Sequence, residues 1–433
     1  MFTMSTKDFS HNLRTNFKKI FASSTVIVTI GILIGSFFSY LLQFLLGRFL
    51  SVGDYGTFSA LLSLVYLVSV PTSVFGTSII KMSSELLAKK SWDKLTSLFW
   101  KLNLYFFYFG CATFLLVLLL KNQIAGYLNI ADTALIIPFG VFLGISYLVI
   151  VPGAYLQGLL RFKAFAFYTI VSAFLRMVFP VALILLGFRI YGIFYGFSLS
   201  IILAFILGFL LLKKNLLIQE DLQESDLFEN YKKILSFSSS VLFINFGLMA
   251  LNNLDMIMVK RFFDADTAGY YAGTVTLGKI FLFGAGTVAT VMFPQISNLY
   301  TKKSKLFYSK LKQFFSIQLL LVILGLGTFF VFPKLLNALF FGDRFSHSVT
   351  FLPYFSVFIA LYILINFMVL FFMAIDRTKV FLLLIVGTVA QYLLLSNFHD
   401  SVFQIISINI GIAFTLLTVL SLYFIRIKKQ LMF

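Results

Sequence analysis

The sequence predicts an all-α polytopic membrane protein of about 12 transmembrane helices. These are expected to form two six-helix lobes related by a pseudo-two-fold axis along the membrane normal. The 433 residues are 60% hydrophobic and 12% charged, with a mean hydropathy of +0.99, whereas soluble domains are near half apolar and about a quarter charged. Apolar runs of bilayer-spanning length recur along the chain, and its two halves resemble each other.

Twelve apolar runs reach the length of about 20 residues that a transmembrane helix needs. They fall at 24–46, 55–80, 98–120, 133–157, 165–186, 190–212, 234–258, 269–293, 313–333, 350–372, 380–397 and 402–425. The run at 380–397 is the weakest, because it is short and contains Gln391. We interpret 24–46 as a retained first helix, since residues 1–20 are polar and basic and no small-residue cleavage site ends the run.

The basic residues predict the orientation. The chain has 34 Lys and Arg against 16 Asp and Glu, a net charge of +18. With the N-terminus inside, 25 basic residues fall on the cytoplasmic side, 7 outside, and 2 (Arg176 and Lys279) within spans. Cytoplasmic loops of membrane proteins are enriched in Lys and Arg. We therefore expect a multi-pass protein of the cytoplasmic membrane with both termini in the cytoplasm.

Several classes of site are not expected. The cations accompany no nucleic-acid-binding motif, so no nucleic-acid partner is predicted. Cys111 is the only cysteine, and His11, His347 and His399 lie far apart in the sequence. This pattern offers no intramolecular disulfide and no metal-ligand spacing. We expect no metal and no cofactor.

The two halves of the chain repeat one another at an offset of 213 to 214 residues. The matches are "NFKKI" from Asn16 with "NYKKI" from Asn230, "GRFLSVGDYGTFSA" from Gly47 with "KRFFDADTAGYYAG" from Lys260, and "SELLAKK" from Ser84 with "SNLYTKK" from Ser297. The second match pairs Arg48 with Arg261 and Gly56 with Gly269. Because each half holds an even number of spans, the repeats are parallel.

The repeat sets the predicted domains: an N-terminal lobe over 1–212, a linker over 213–233 and a C-terminal lobe over 234–433. The linker holds five of the sixteen acidic residues between two lysine pairs. We interpret it as a solvated amphipathic helix on the inner membrane surface, with regulatory binding as the alternative.

No loop exceeds about 25 residues, which leaves no room for a soluble catalytic domain and argues against an ATP-driven pump. An integral polysaccharide polymerase or ligase is an enzyme alternative, although such enzymes carry a large extracytoplasmic loop. Nothing in the sequence resembles the selectivity filter of a channel.

Two stretches, "LGRFLSVGDYGTFSALLSLVYLVSV" and "LDMIMVKRFFDADTAGYYAGTVTLGKI", carry a family resemblance. The chain resembles the polysaccharide (O-antigen-type) flippases of the multidrug/oligosaccharidyl-lipid/polysaccharide exporter superfamily. The residues that match the family pattern are Arg48, Gly53, Tyr55 and Gly56 in the first half, and Asp255, Gly269, Tyr270 and Tyr271 in the second. The spacing is slightly tightened around Asp54.

The resemblance implies a transporter rather than an enzyme. Two lobes would enclose a cavity and move a polyprenyl-pyrophosphate-linked oligosaccharide by alternating access, driven by an ion gradient or the membrane potential and not by ATP. The implied partners are this lipid-linked substrate, membrane lipid and other polysaccharide-assembly proteins. The alternatives are a multidrug/cation antiporter of the same superfamily and the polymerase or ligase.

The stretch "GTVTLGKI" (273–280) matches the spacing of a phosphate-binding loop, but Ile280 replaces the hydroxyl residue that holds magnesium. It continues an apolar helical run, so we predict a helix without ATP binding. Lys279 then lies about 15 Å inside the membrane, where a charge almost always faces a cavity or a partner. It would contact the substrate pyrophosphate, with Gly273 and Gly278 keeping the helix face slim. The alternatives are a structural lysine paired with carbonyl groups or an acid, and glycines that serve helix packing.

The other candidate residues each have a structural alternative. Arg176 lies mid-span, and Arg48 and Arg261 lie at span ends where long side chains can reach the interface. Asp255 is a candidate for ion coupling, with a structural ion pair with the following Lys260 or Arg261, or a role at a helix end, as the alternatives. The amides that could contact sugar, or join helices, are Gln43, Asn245, Asn252 and Asn253.

Reporter fusions test the predicted orientation. Fusions after residues 233 and 433 should both give a cytoplasmic signal, because the opposite orientation inverts a better than threefold basic bias. An extracytoplasmic signal at either position contradicts both the orientation and the parallel repeat.

Overall fold

The structure is a computed structural model that describes residues 24–216 and 240–428. These residues are helical almost throughout and contain no β-strand, which confirms the predicted all-α class. Most of the predicted linker, residues 217–233, lies outside the described residues. So does the first repeat match, which begins at Asn16 and Asn230.

Residues 24–216 form helices that follow the predicted runs closely. They are α1 (Ser24–Phe49), α2 (Val52–Val68), α3 (Val70–Ala88), α4 (Trp92–Leu119), α5 (Lys121–Tyr127), α6 (Ile136–Ser146), α7 (Ile150–Gly158), α8 (Phe162–Leu183) and α9 (Arg189–Leu212). A 3₁₀ turn at Tyr147–Val149 joins α6 to α7, so that together they cover one predicted span.

Residues 240–428 form a second series. It consists of α10 (240–251), α11 (Leu254–Phe262), α12 (Ala265–Thr301), α13 (Phe307–Val331), α14 (Pro333–Phe341), α15 (Ser348–Ala374), α16 (Phe381–Asn397) and α17 (Val402–Lys428). The Asp264 carboxylate caps α12 by accepting the N–H groups of Asp266 and Thr267. The Thr267 hydroxyl also donates to it, and these bonds lower the pKa of Asp264.

The predicted count of twelve spans agrees with these helices. Ten helical stretches are long and apolar enough to cross a membrane, and α2 with α3 form one further candidate, bent by 44°. One of the ten, Phe162–Leu212, has 51 residues, about 77 Å if straight, which is more than twice a bilayer core. It is two spans, because the backbone leaves helical geometry at Gly187 (φ +95°) and Gly196 of α9 packs back against Pro180 of α8.

The contacts group the chain into two compact units. The first contains Met1–Leu45, Thr72–Leu120 and Ala134–Phe228, and the second contains Leu46–Pro71, Lys121–Thr133 and Glu229–Phe433. Helices α2 and α5, from the N-terminal half of the sequence, therefore pack with helices of the C-terminal half. The lobe boundaries at 212 and 234, which rest on the sequence repeat, stay a prediction.

Small residues set the helix contacts of the first unit. Helices α4 and α6 meet at Gly110 and Gly144, where a side chain on Gly110 would touch the Gly144 carbonyl oxygen. A Cβ on Gly31 of α1 would lie 2.8 Å from Ala166 Cβ of α8. Small residues allow helix backbones to approach closely in membranes, so this unit is held together by close packing.

The second unit contains a crossing of α2 and α12 at repeat-equivalent glycines. A Cβ on Gly56 would lie 2.6 Å from the Gly269 nitrogen, and one on Gly269 would touch the Val52 carbonyl oxygen. Only glycine permits backbones to approach this closely. The two sequence repeats thus contact each other at the same position of each repeat, as they would beside the predicted symmetry axis.

Replacement of Gly269 by alanine tests this crossing. Gly269→Ala should lower the free energy of unfolding of the purified protein by about 1–3 kcal/mol, and its melting temperature with it, because the added methyl group would overlap backbone atoms that cannot rotate away. Gly286→Ala, on the same helix but with open space around it, is the matched control and should leave the stability unchanged or slightly higher. Equal melting temperatures for the two variants would contradict the close crossing.

Candidate functional site

The seventh predicted span is a broken helix. Helix α10 ends at residue 251 and α11 begins at Leu254, with Asn252 and Asn253 in a turn between them. Asparagine side chains compete for backbone hydrogen bonds and favour turns and helix N-caps, and Asn253 occupies the N-cap position of α11. Broken membrane helices place half-helix ends inside the membrane, where transporters build binding sites.

Side chains donate hydrogen bonds to three carbonyl groups at this break. Backbone groups within a membrane must find their partners inside the protein. The donors come from the break itself, from α15 and from α16: Asn253 Nδ2 to Met249 O (2.8 Å), Tyr362 Oη to Leu248 O (2.8 Å) and Gln391 Nε2 to Leu251 O (3.1 Å). The break is therefore a stabilised feature of the fold.

Lys279 lies beside the break. Its Nζ donates a hydrogen bond to Asn253 Oδ1 at 2.9 Å and lies 5.0 Å from the centroid of the Tyr66 ring, within the range of a cation–π interaction. The side chain is partly buried. Its position on α12 is about 21 Å from Ala265, the first residue of that helix, so the ammonium group is deep in a hydrocarbon core of about 30 Å.

Asp255 is the acid of this site. It is completely buried in the first turn of α11, accepts the Tyr271 hydroxyl at Oδ2 (2.6 Å) and accepts the Met256 N–H at Oδ1 (2.8 Å). In its ionised form this carboxyl attracts the Lys279 ammonium at longer range. The site thus contains one lysine and one carboxyl group beside the helix break.

The suggested ion pair between Asp255 and Lys260 or Arg261 is corrected by the structure. The Lys260 ammonium donates to the Asn129 carbonyl oxygen at 2.9 Å, and Arg261 lies 4.3 Å from the centroid of the Tyr127 ring. Both cations thus interact with groups other than Asp255. Tyr271, which sequence reasoning treated only as part of a motif, is the direct partner of Asp255.

A second pair of amides adjoins the break. Gln391 of α16 donates to Asn409 Oδ1 of α17 at 2.9 Å, and both side chains are buried. Three buried atoms near this position lack a hydrogen-bond partner among the described residues: Asn252 Oδ1, Gln391 Oε1 and Asn409 Nδ2. The region therefore has two amide oxygens and one amide nitrogen that could form further hydrogen bonds. The sequence signal for these residues was their polarity within apolar runs.

Arg48 and Arg261, which occupy equivalent positions in the two repeats, contact carbonyl oxygens and an aromatic ring. Arg48 Nη2 donates to the carbonyl oxygens of Leu339 (3.1 Å) and Ala338 (3.5 Å) at the end of α14. Arg261 stacks on Tyr127. These contacts give both arginines a structural role at helix ends, and their assignment to the substrate cavity stays a prediction.

The remaining predicted residues are spread over both units. Arg176 on α8 is exposed and Gln43 on α1 is partly buried. Both belong to the first unit, and each interacts with another residue. Asn245 on α10 is partly buried, and Asn252 is buried at the break. Of the predicted site residues, the structure brings Lys279, Asp255 and Asn252 together around the break.

The phosphate-loop spacing at 273–280 is explained by packing. The stretch lies wholly inside α12, as predicted, so its N–H groups bond within the helix. Gly273 and Gly278 pack against α15 and the 3₁₀ turn before it (Gly342–Phe345): a Cβ on Gly273 would lie 3.0 Å from Phe345 and Ser348, and one on Gly278 would lie 2.5 Å from Phe355. The slim helix face therefore accommodates α15, and the suggestion that it accommodates a headgroup is corrected. Among residues 24–216 and 240–428, no cluster of three His, Cys, Asp or Glu is placed to hold a metal.

Solved structures with the same fold are membrane transporters. An inward-facing multidrug resistance MATE family transporter of the MOP superfamily matches with a TM-score of 0.71 and 11% identity, over 94% of this chain and 99% of that chain. The lipid II flippase MurJ, in an inward closed conformation, gives a TM-score of 0.67 and 13% identity over 93% and 87%. A MOP superfamily transporter from Pyrococcus furiosus gives 0.62 and 15% over 94% and 95%.

At 11–15% identity these likenesses show a shared fold, which agrees with the predicted fold class. No curated protein sequence matches the chain significantly. The sequence profile of one family, described as polysaccharide biosynthesis protein (Polysacc_synt_3), matches residues 45–350, more than two thirds of the chain. This chain is therefore a multi-pass membrane protein that belongs to the polysaccharide biosynthesis protein family.

Proposed function

We propose that the protein is a flippase that moves a polyprenyl-pyrophosphate-linked oligosaccharide across the cytoplasmic membrane by alternating access, for the synthesis of cell-surface polysaccharide. Lys279 is the observation that carries this proposal. An ammonium group has three N–H donors. Asn253 accepts one, and the described residues offer Lys279 no second hydrogen-bond acceptor.

The electrostatics of the break favour an anion as the ligand. A charge this deep in a membrane costs at least about 2.5–3.5 kcal/mol unless it is paired, and the N-terminus of α11 adds a partial positive charge at the same place. A pyrophosphate accepts several hydrogen bonds from such groups. The lipid tail would remain in the bilayer while the headgroup and its sugars pass through the protein.

Asp255 supplies a physical basis for coupling this binding to protons. While Asp255 is ionised, it attracts Lys279 and repels an incoming pyrophosphate; once protonated, it does neither. Binding of the anion would therefore be linked to uptake of a proton by Asp255, and affinity for the substrate would fall as the pH rises. Tyr271 and Lys279 are the titratable groups that act directly on Asp255.

A multidrug/cation antiporter is the alternative within the superfamily, and a MATE transporter structure is indeed similar. A cationic substrate would require an accessible carboxylate. Asp255 is completely buried and already accepts two hydrogen bonds, whereas Lys279 would repel such a substrate. A polymerase or ligase is distinguished by deletion of the gene: loss of a flippase leaves single lipid-linked units on the inner leaflet, and loss of a polymerase leaves them on the outer leaflet.

Substitution of Lys279 tests the proposed function in cells. Lys279→Ala and Lys279→Glu should abolish glycan export while the protein is still produced and inserted, and Lys279→Arg should retain part of it, because it keeps the charge. Lys334→Ala, which removes an exposed lysine from α14, is the control and should export normally. Full glycan export by a normally expressed Lys279→Ala variant would contradict the proposal.

A further inference from the structure

A second concave site lies in the C-terminal unit, among α13, α15 and α17. Its volume is about 500 Å³, within the range of sites that bind small molecules. The walls are mainly aromatic and aliphatic, with Phe315, Phe367, Met368, Phe371, Leu417 and Phe424 among the lining residues. We call this site the α13–α17 groove; none of its residues belongs to the site at Lys279.

The charged side chains of the groove lie at one end. Tyr308 and Lys312 line it from the first turns of α13, and Lys428 lines it from the last residue of α17. The Tyr308 hydroxyl donates to the Lys428 carbonyl oxygen at 2.7 Å and so fastens these two helix ends together. The side chains of Lys312 and Lys428 are exposed. Two cations therefore stand at the mouth of an apolar cleft.

The length of the groove matches one leaflet of a bilayer. Leu417 and Lys428, which line opposite ends of the groove on α17, are separated by about 16 Å of helix. The hydrocarbon core of a bilayer is about 30 Å thick, so one leaflet accounts for about half of it. An acyl chain that lies along the groove would place its headgroup at the level of the two lysines.

We propose that the α13–α17 groove binds an anionic diacyl phospholipid, with its acyl chains against the aromatic walls and its phosphodiester between Lys312 and Lys428. Lipid tails fill an apolar cleft in any bilayer, so the selective element is the pair of cations. Basic pockets between helices on the cytoplasmic side recognise anionic headgroups, and the basic asymmetry predicts that this end of α13 and α17 faces the cytoplasm. A long polyprenyl chain exceeds the one-leaflet length of the groove.

Native mass spectrometry of the purified full-length protein tests this site. The protein is titrated with phosphatidylglycerol and with phosphatidylcholine of the same acyl chains. The wild type should bind phosphatidylglycerol more tightly than phosphatidylcholine. A Lys312→Gln/Lys428→Gln variant should lose about tenfold or more in affinity for phosphatidylglycerol, because each lysine near a headgroup contributes to binding, and should bind phosphatidylcholine as before.

Lys89→Gln/Lys90→Gln removes the same charge from exposed residues at the end of α3 and should keep the preference of the wild type. Leu417→Trp, which fills the apolar part of the groove, should weaken the binding of both lipids. Equal affinity of the wild type for the two lipids would overturn the proposal, as would an unchanged preference in the Lys312→Gln/Lys428→Gln variant. Tighter binding of a polyprenyl monophosphate than of phosphatidylglycerol would overturn the assignment to a phospholipid.

Discussion

The helix break at Asn252 and Asn253 is the feature on which the candidate site depends. It removes helical hydrogen bonds inside the membrane, where unpaired backbone groups are costly. Asn253 itself and Gln391 of α16 donate to the Met249 and Leu251 carbonyl oxygens and so replace two of those bonds. Because the break is held in this way, Asn253 presents its amide oxygen to Lys279, and the new helix begins with Asp255 in its first turn. One irregularity thus positions both charges of the site.

Helix α12 connects this site to the contact between the repeats. It carries Gly269 at the crossing with α2, and Tyr271 and Lys279 further along the same helix. A displacement of α2 against α12 would therefore act on the helix that holds both the cation and the hydroxyl partner of Asp255. This arrangement offers a physical route by which binding of an anion at Lys279, protonation of Asp255 and helix movement would be linked in a transport cycle.

The sequence predicted the helices well, since length and apolarity suffice to identify a span, and it located Lys279 because a charge in such a run is conspicuous. It did not reveal the break, because residues 234–258 form one continuous apolar run in which two asparagines could equally join helices or contact a substrate. The partner of Asp255 was also missed. Tyr271 lies sixteen residues away on another helix, and only the packing of α11 against α12 brings the two side chains together.

The affinity of the purified protein for a polyprenyl-pyrophosphate-linked sugar, measured as a function of pH, tests the central claim most directly. The pyrophosphate diester stays dianionic at neutral and mildly alkaline pH, so a change in affinity there reports on the protein. We expect the wild type to bind more weakly as the pH rises, an Asp255→Asn variant to show a smaller pH dependence because only Lys279 then titrates at the site, and Lys279→Ala to lose binding. Unchanged affinity in Lys279→Ala would contradict the assignment of Lys279 as the cation that binds the substrate pyrophosphate.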